Sequence, residues 1–97
     1  MMQVKVTRVY LSEDSPLLQE LFDYLHENKI KGATVFRGVK GFGASGATRE
    51  ARFIDMHYEL PMILEFFDEP KVVDDVLHTF KEKIDGGRVL QWLAEVN

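Results

Sequence analysis

Two turns in this 97-residue chain have the composition of an anion cradle. One is Gly41-Phe42-Gly43, preceded by Lys40; the other is Gly86-Gly87, followed by Arg88. Glycine lets backbone N–H groups approach phosphate oxygens and form a concave nest. A neighbouring lysine or arginine completes such a site with charge-assisted hydrogen bonds. Glycines in turns also serve chain geometry alone, and either turn by itself is compatible with that role. Charge separates the two readings further. The formal net charge is −4, yet the segment from Ala33 to Arg52 holds Arg37, Lys40, Arg49 and Arg52 against Glu50, a local +3 that leaves −7 elsewhere. A positive segment in an acidic chain suits a small anionic ligand better than nucleic acid or an anionic membrane surface.

Other reactive chemistry is sparse. Without cysteine there is no disulfide framework, thiolate metal site or thiol nucleophile. His26, His57 and His78 show no metal-ligand spacing. His26 and His78 fall off the apolar stripes of their helices and are expected in solvent, while His57 follows the glycine-rich stretch. Ser12, Ser15 and Ser45 have no evident base and orienting acid. Trp92 is expected in the core or a subunit contact rather than as a stacking platform for bases. The expectation is a binding protein, not an enzyme. No apolar run approaches the roughly 20 residues of a membrane helix. A strand pattern that starts within two residues of Met1 leaves no room for a secretory leader, so a cytoplasmic location is expected.

The elements that must position the two turns can be read from period and punctuation. Gln3 to Leu11 is β-rich, with Val4, Val6, Val9, Tyr10 and Leu11. Ser15-Pro16 is a helix start, and Leu18, Leu21, Phe22 and Leu25 form an amphipathic stripe ending near Asn28, with Gly32 beyond. A second strand is expected over Ala33–Lys40. Gly41 to Thr48, rich in glycine and alanine, reads as a mobile loop, with Gly43 to about Arg52 the most mobile part. Arg49 to Tyr58 fits either a helical turn or an extended arm. Met62 to Phe67 is a third strand. A second helix opens at Glu69-Pro70 with the stripe Val73, Val76, Leu77, Phe80 and Ile84, and Val89 to Val96 is the last strand.

The order is β-α-β-β-α-β over residues 1–97 as one domain. That predicts an α+β fold, the ferredoxin-like split βαβ sandwich, with a four-stranded antiparallel sheet and two helices on one face. The third and last strands are apolar on both sides. Two helices cannot cover both sheet faces, and a bare face of several hundred Å² forgoes several kcal/mol at roughly 25 cal/mol per Å². A homo-oligomer that covers the open face is the expectation.

The motifs resemble those of the PII-like signal-transduction superfamily. Val39-Lys40-Gly41-Phe42-Gly43, preceded by Gly32-Ala33-Thr34-Val35, is similar to that family's second strand and flexible-loop base. Leu60-Pro61 before an apolar strand with Glu65 fits the continuation, and Asp85-Gly86-Gly87-Arg88-Val89 is similar to its Gly-Asp-Gly-Lys-Ile turn. The branch most resembled is one of unknown function, with Thr34-Val35-Phe36-Arg37-Gly38, the Gly-Phe-Gly loop and Leu60-Pro61. The resemblance spans essentially the whole chain. It implies a homotrimer binding an adenine nucleotide (AMP, ADP or ATP) in clefts between subunits, with no cofactor required. Thr34 would lie near the adenine, Lys40, Gly41, Phe42 and Gly43 at the loop base, and Gly86, Gly87 and Arg88 on the phosphates. It also implies a loop that signals to a partner, by analogy a membrane transporter. Ser45 and Met62 replace the glutamine and lysine that serve 2-oxoglutarate sensing, which weighs against that response.

Two other readings share the fold class. One is a divalent-metal-binding trimer of the copper-tolerance type. The other is a small acyl-phosphate hydrolase, since Gly38-Val39-Lys40-Gly41-Phe42 resembles an acylphosphatase cradle; that cradle, however, follows the first strand rather than the second.

Overall fold

The computed structural model describes residues 1–43, 48–50, 60–84 and 88–97. The elements in chain order are β1 (Met2–Ser12), α1 (Pro16–Glu27), β2 (Gly32–Arg37), β3 (Lys40–Phe42), β4 (Thr48–Glu50), β5 (Pro61–Asp68), α2 (Pro70–Thr79) and β6 (Val89–Val96). β2, β5, β1 and β6 form, in that order, a four-stranded sheet whose pairs are all antiparallel. This is the expected split βαβ architecture. β3 and β4 are an addition to it, a separate two-stranded ribbon between the second and third strands of the main sheet.

Helix ends follow from their capping chemistry. The Ser15 hydroxyl accepts a hydrogen bond from the Leu17 amide at 3.3 Å, and Pro16 occupies the first helical position, where its missing N–H costs nothing. At the other end the chain turns at Lys29, whose φ is 55°. A lysine therefore takes the left-handed position beyond the helix, and Gly32 instead begins β2. Gly32 is needed for a different reason: a Cβ there would stand 2.4 Å from the Phe67 ring on the paired strand. α2 stops at Thr79, so Phe80 packs as its cap, and Ile84 reaches the core from the turns that follow.

The core lies between the helices and one sheet face. Val9, Leu64 and Phe66 from the two central strands pack with Leu17, Leu21 and Leu25 of α1 and with Val73, Val76 and Phe80 around α2. Tyr24 meets Phe80 edge-on, with ring centroids 5.0 Å apart, and so joins the two helices. Thr7 is buried among these residues, and its hydroxyl accepts from Gln91 Nε2 at 3.0 Å. Lys5, on the same sheet face, reaches Asp74 of α2 at 2.8 Å.

The strand expected to run to Lys40 ends at Arg37. At Gly38 the backbone leaves the sheet, its N–H donating to the Pro61 carbonyl at 2.8 Å, and β3 begins two residues later. Of the segment that fits either a helical turn or an extended arm, Arg49 and Glu50 are extended, in β4. Residues 44–47 and 51–59 lie outside the described residues, and so does most of the expected mobility of Gly43 to Arg52.

Helix coverage is uneven across the sheet. Leu21 is fully buried, whereas Leu93, on the same sheet face but on the β6 edge, is 57% exposed. Leu21→Ala should therefore cost about 2–5 kcal/mol of folding stability. Leu93→Ala should cost about 0.5 kcal/mol or less. Urea titration of both variants checks this, and equal losses would contradict the packing described.

Candidate functional site

The sheet register brings the ends of four strands to one edge of the molecule. Ser12 of β1 pairs with Pro61 of β5, Arg37 of β2 with Met62, and Val9 with Val89 of β6. The loops after β1 and β2 and the turns before β5 and β6 therefore share one end of the sheet. Both candidate cradles lie there, but on opposite flanks. Lys40, Gly41, Phe42 and Gly43 follow the β2 edge, and Arg88 precedes β6 at the other edge. Three strand spacings, about 14 Å, separate the two edges. Within one chain the ribbon base and Arg88 are not brought together.

The β2 flank is built on Pro61. A Cβ added at Gly38 would stand 2.7 Å from Pro61 Cγ and 3.1 Å from the Pro61 carbonyl oxygen, and one at Gly41 would stand 3.3 Å from the same ring carbon. The ribbon base thus rests flat on the proline, and Gly38 is the residue that allows it. Arg37 is tied to Glu13 in the β1–α1 loop by an ion pair, which anchors the last residue of β2. Gly43 differs: nothing lies within 4 Å of a Cβ built there. Among the described residues, then, none crowds that position. Val39 and Phe42 are 73% and 78% exposed and project apolar surface from the ribbon. Thr34 is exposed on the uncovered sheet face, opposite Glu65.

On the other flank, the Arg88 carbonyl accepts from the Tyr10 amide at 2.8 Å, which locks its backbone to β1, while its side chain is exposed. Arg88 also borders a cavity of about 380 Å³ between the end of β1, the start of α1 and residues 83–84. Ser12, Ser15, Glu20 and Lys83 line it, and Lys83 pairs with Glu20 beside it. Gly86 and Gly87 lie outside the described residues. His26 and His78 are exposed in the last turns of α1 and α2, and His57 also lies outside the described residues. Among the described residues no three His, Cys, Asp or Glu side chains are grouped to hold a metal ion, and no helix is long and apolar enough to cross a membrane.

A cluster on the uncovered sheet face was not anticipated from the sequence. Arg8 Nε donates to Glu65 Oε1 at 2.8 Å. The guanidinium carbon lies 5.8 Å from the Phe36 ring centroid and 5.4 Å from that of Trp92. Hydrogen bonds to Glu65 and then to Tyr10 raise the Arg8 pKa above its ordinary value. The signal available in the sequence was local: Arg8 interrupts Val6 and Tyr10, and Glu65 interrupts Ile63 and Phe67, at positions whose alternation is otherwise apolar.

Comparison with known proteins adds the following. The family model DUF190, described as Uncharacterized ACR, COG1993, matches residues 2–96. A UPF0166 protein of Aquifex aeolicus is 30% identical over 87 residues, covering 84% of this chain and 83% of that protein. Among solved structures, CPII of Thiomonas intermedia K12 bound to ADP and bicarbonate matches with a TM-score of 0.70 at 18% identity, covering 98% of this chain and 89% of that one. Another structure of CPII, described as a nitrogen regulatory PII-like protein and bound to ADP, AMP and bicarbonate, matches with a TM-score of 0.68 at 19% identity, covering 99% and 97%. The fold is thus PII-like.

The contact between Gly38 and Pro61 generates a direct expectation. Gly38→Ala should displace the ribbon base and weaken the Gly38–Pro61 hydrogen bond, at a cost of about 1–3 kcal/mol. Faster amide exchange at Gly38 and shifted resonances from Lys40 to Phe42 would report it. An unchanged spectrum would show that the ribbon does not rest on Pro61.

Proposed function

We propose that this chain, which belongs to the DUF190 family, is a PII-like regulator that binds an adenine nucleotide between subunits of a homotrimer. One observation carries the reading. Lys40 to Gly43 and Arg88 sit at the same end of the sheet but beside opposite edge strands, so a single chain would offer two half-sites. Copies that meet with the β2 edge of one against the β6 edge of the next set Lys40, Gly41, Phe42 and Gly43 beside Gly86, Gly87 and Arg88 of the neighbour. Closing three such edge contacts into a ring would turn the apolar sheet faces toward one another. Gly43, which no described residue crowds, suits close approach by a ligand. CPII, a protein of the same fold, binds ADP and AMP, which supports an adenine nucleotide as the ligand class.

In this reading Arg88 and Lys40 supply charge to the phosphates, and Thr34 lies toward the base. No cofactor and no catalysed reaction are part of the proposal. Nucleotide binding orders the ribbon and the segment beyond it and so changes the surface offered to a partner protein, by analogy a membrane transporter. The exposed Val39 and Phe42 are the apolar contacts available for that purpose. Cytoplasmic action is part of the same proposal.

Calorimetry against AMP, ADP, ATP and divalent cations tests the ligand class. A nucleotide response is expected; a response to metal alone would favour the copper-tolerance type, and turnover of an acyl phosphate would favour a hydrolase. Arg88→Ala should keep the fold and the assembled mass while weakening nucleotide binding by about ten- to a hundredfold, the value of one charge-assisted hydrogen bond of roughly 1.5–3 kcal/mol. Unchanged affinity in a folded protein would remove this turn from the site.

A further inference from the structure

Apart from Arg88, the cavity between the end of β1, the start of α1 and residues 83–84 is not used by the nucleotide site proposed above. At about 380 Å³ it is large enough for a small ligand. Its apolar lining is Leu11, Leu17 and Ile84, all packed in or against the core. Three charged side chains complete it: Glu20, Lys83 and Arg88. Lys83 is ion-paired with Glu20, so those two charges offset one another. The Arg88 backbone is fixed, because its carbonyl accepts from the Tyr10 amide. Its side chain has neither an ion pair nor a hydrogen bond among the described residues. The lining thus carries one positive charge without a counter-charge.

Two hydroxyls also line the cavity. That of Ser12 is already given to Asp14 at 2.7 Å, whereas that of Ser15 accepts from the Leu17 amide at 3.3 Å and keeps its own proton to donate. We propose that this cavity binds a small organic monocarboxylate. The carboxylate pairs with Arg88, whose planar guanidinium can match it with two parallel hydrogen bonds, and the Ser15 hydroxyl is the further donor at hand. The hydrocarbon part lies against Leu11, Leu17 and Ile84, where it leaves water. One negative charge is the limit: Lys83 is committed to Glu20, and the Glu20 carboxylate repels a second anionic group. The same rule sets the ligand apart from a nucleotide, whose phosphates carry several charges. The inference goes beyond the nucleotide site, with which it shares only Arg88.

NMR titration of the nucleotide-free protein with acetate, butyrate and hexanoate tests it, with hexanol as the uncharged control and circular dichroism to establish that each variant is folded. Saturable shifts at Leu11, Ser15, Leu17 and Ile84 are expected for the carboxylates, with affinity rising about fourfold per added methylene. Arg88→Met should weaken hexanoate binding by about ten- to a hundredfold. Glu20→Gln frees Lys83 and should let the cavity take adipate, the dicarboxylate of the same length, which the wild type rejects. The proposal is overturned if hexanoate gives no saturable shift, or shifts only Phe36 and Trp92 on the open sheet face. It is equally overturned by hexanol binding as tightly as hexanoate, by a folded Arg88→Met with wild-type affinity, or by a Glu20→Gln variant that still rejects adipate. Because no nucleotide is present, failure here leaves the nucleotide site standing, and failure of that site leaves this one.

Discussion

The antiparallel pairing of β1 with β5 sets Val9 against Leu64 on one face of the sheet and Arg8 against Glu65 on the other. A slip of one residue would turn one strand over relative to the other, driving Arg8 or Glu65 into the helix-covered core without its partner and turning that strand's core residues to the open face. The desolvation of an unpaired charge makes that register untenable. Everything else is assembled on these strands. The helices cover Val9, Leu64 and Phe66, and the edge strands β2 and β6 take their positions from β5 and β1.

The same register accounts for where binding chemistry collects. Antiparallel pairing brings the chain to one end of the sheet three times, after β1, between β2 and β5 and before β6, so the segments with glycine and cations share that end. It also places the two cradle turns on opposite edges, because β5 and β1 fill the middle. In the proposed trimer such a divided site would couple ligand affinity to assembly: what stabilises the contact between copies would also complete the site, and a ligand held across the contact would stabilise the assembly in return. The ribbon adds a second kind of coupling. Its base is held by Pro61 and by the Arg37–Glu13 pair, while its apolar residues Val39 and Phe42 are exposed, so an anchored root carries an apolar surface.

The fold is shared with CPII at 18% identity, which is physically reasonable for this architecture. Apolar patterning and capping specify a split βαβ sandwich with wide tolerance in the choice of core side chains. The loops carry fewer such constraints and are where relatives can differ in ligand response.

Periodicity and punctuation made most of the scaffold legible. The Ser15-Pro16 start, the stripe ending near Asn28, the two-sided apolar character of β5 and β6, and the order of elements are consequences of local chemistry and appear in the structure as read. That the second strand of the sheet gives way before Gly41 was legible for the same reason, because glycine marks the end of an apolar run, but Gly41 and Phe42, expected in a loop, lie in the short strand β3. What local pattern could not decide depends on residues distant in sequence. β2 ends at Arg37 rather than Lys40 because Pro61, more than twenty residues on, receives the Gly38 amide and leaves no room for a side chain there. The left-handed residue after α1 is Lys29 rather than a glycine, while Gly32 is demanded by Phe67 on a neighbouring strand. The meeting of Arg8 with Glu65 between Phe36 and Trp92 spans four strands and exists only once the register of all of them is set. Alternation tells which side of a strand a residue takes; only the pairing of strands tells which residue it meets there.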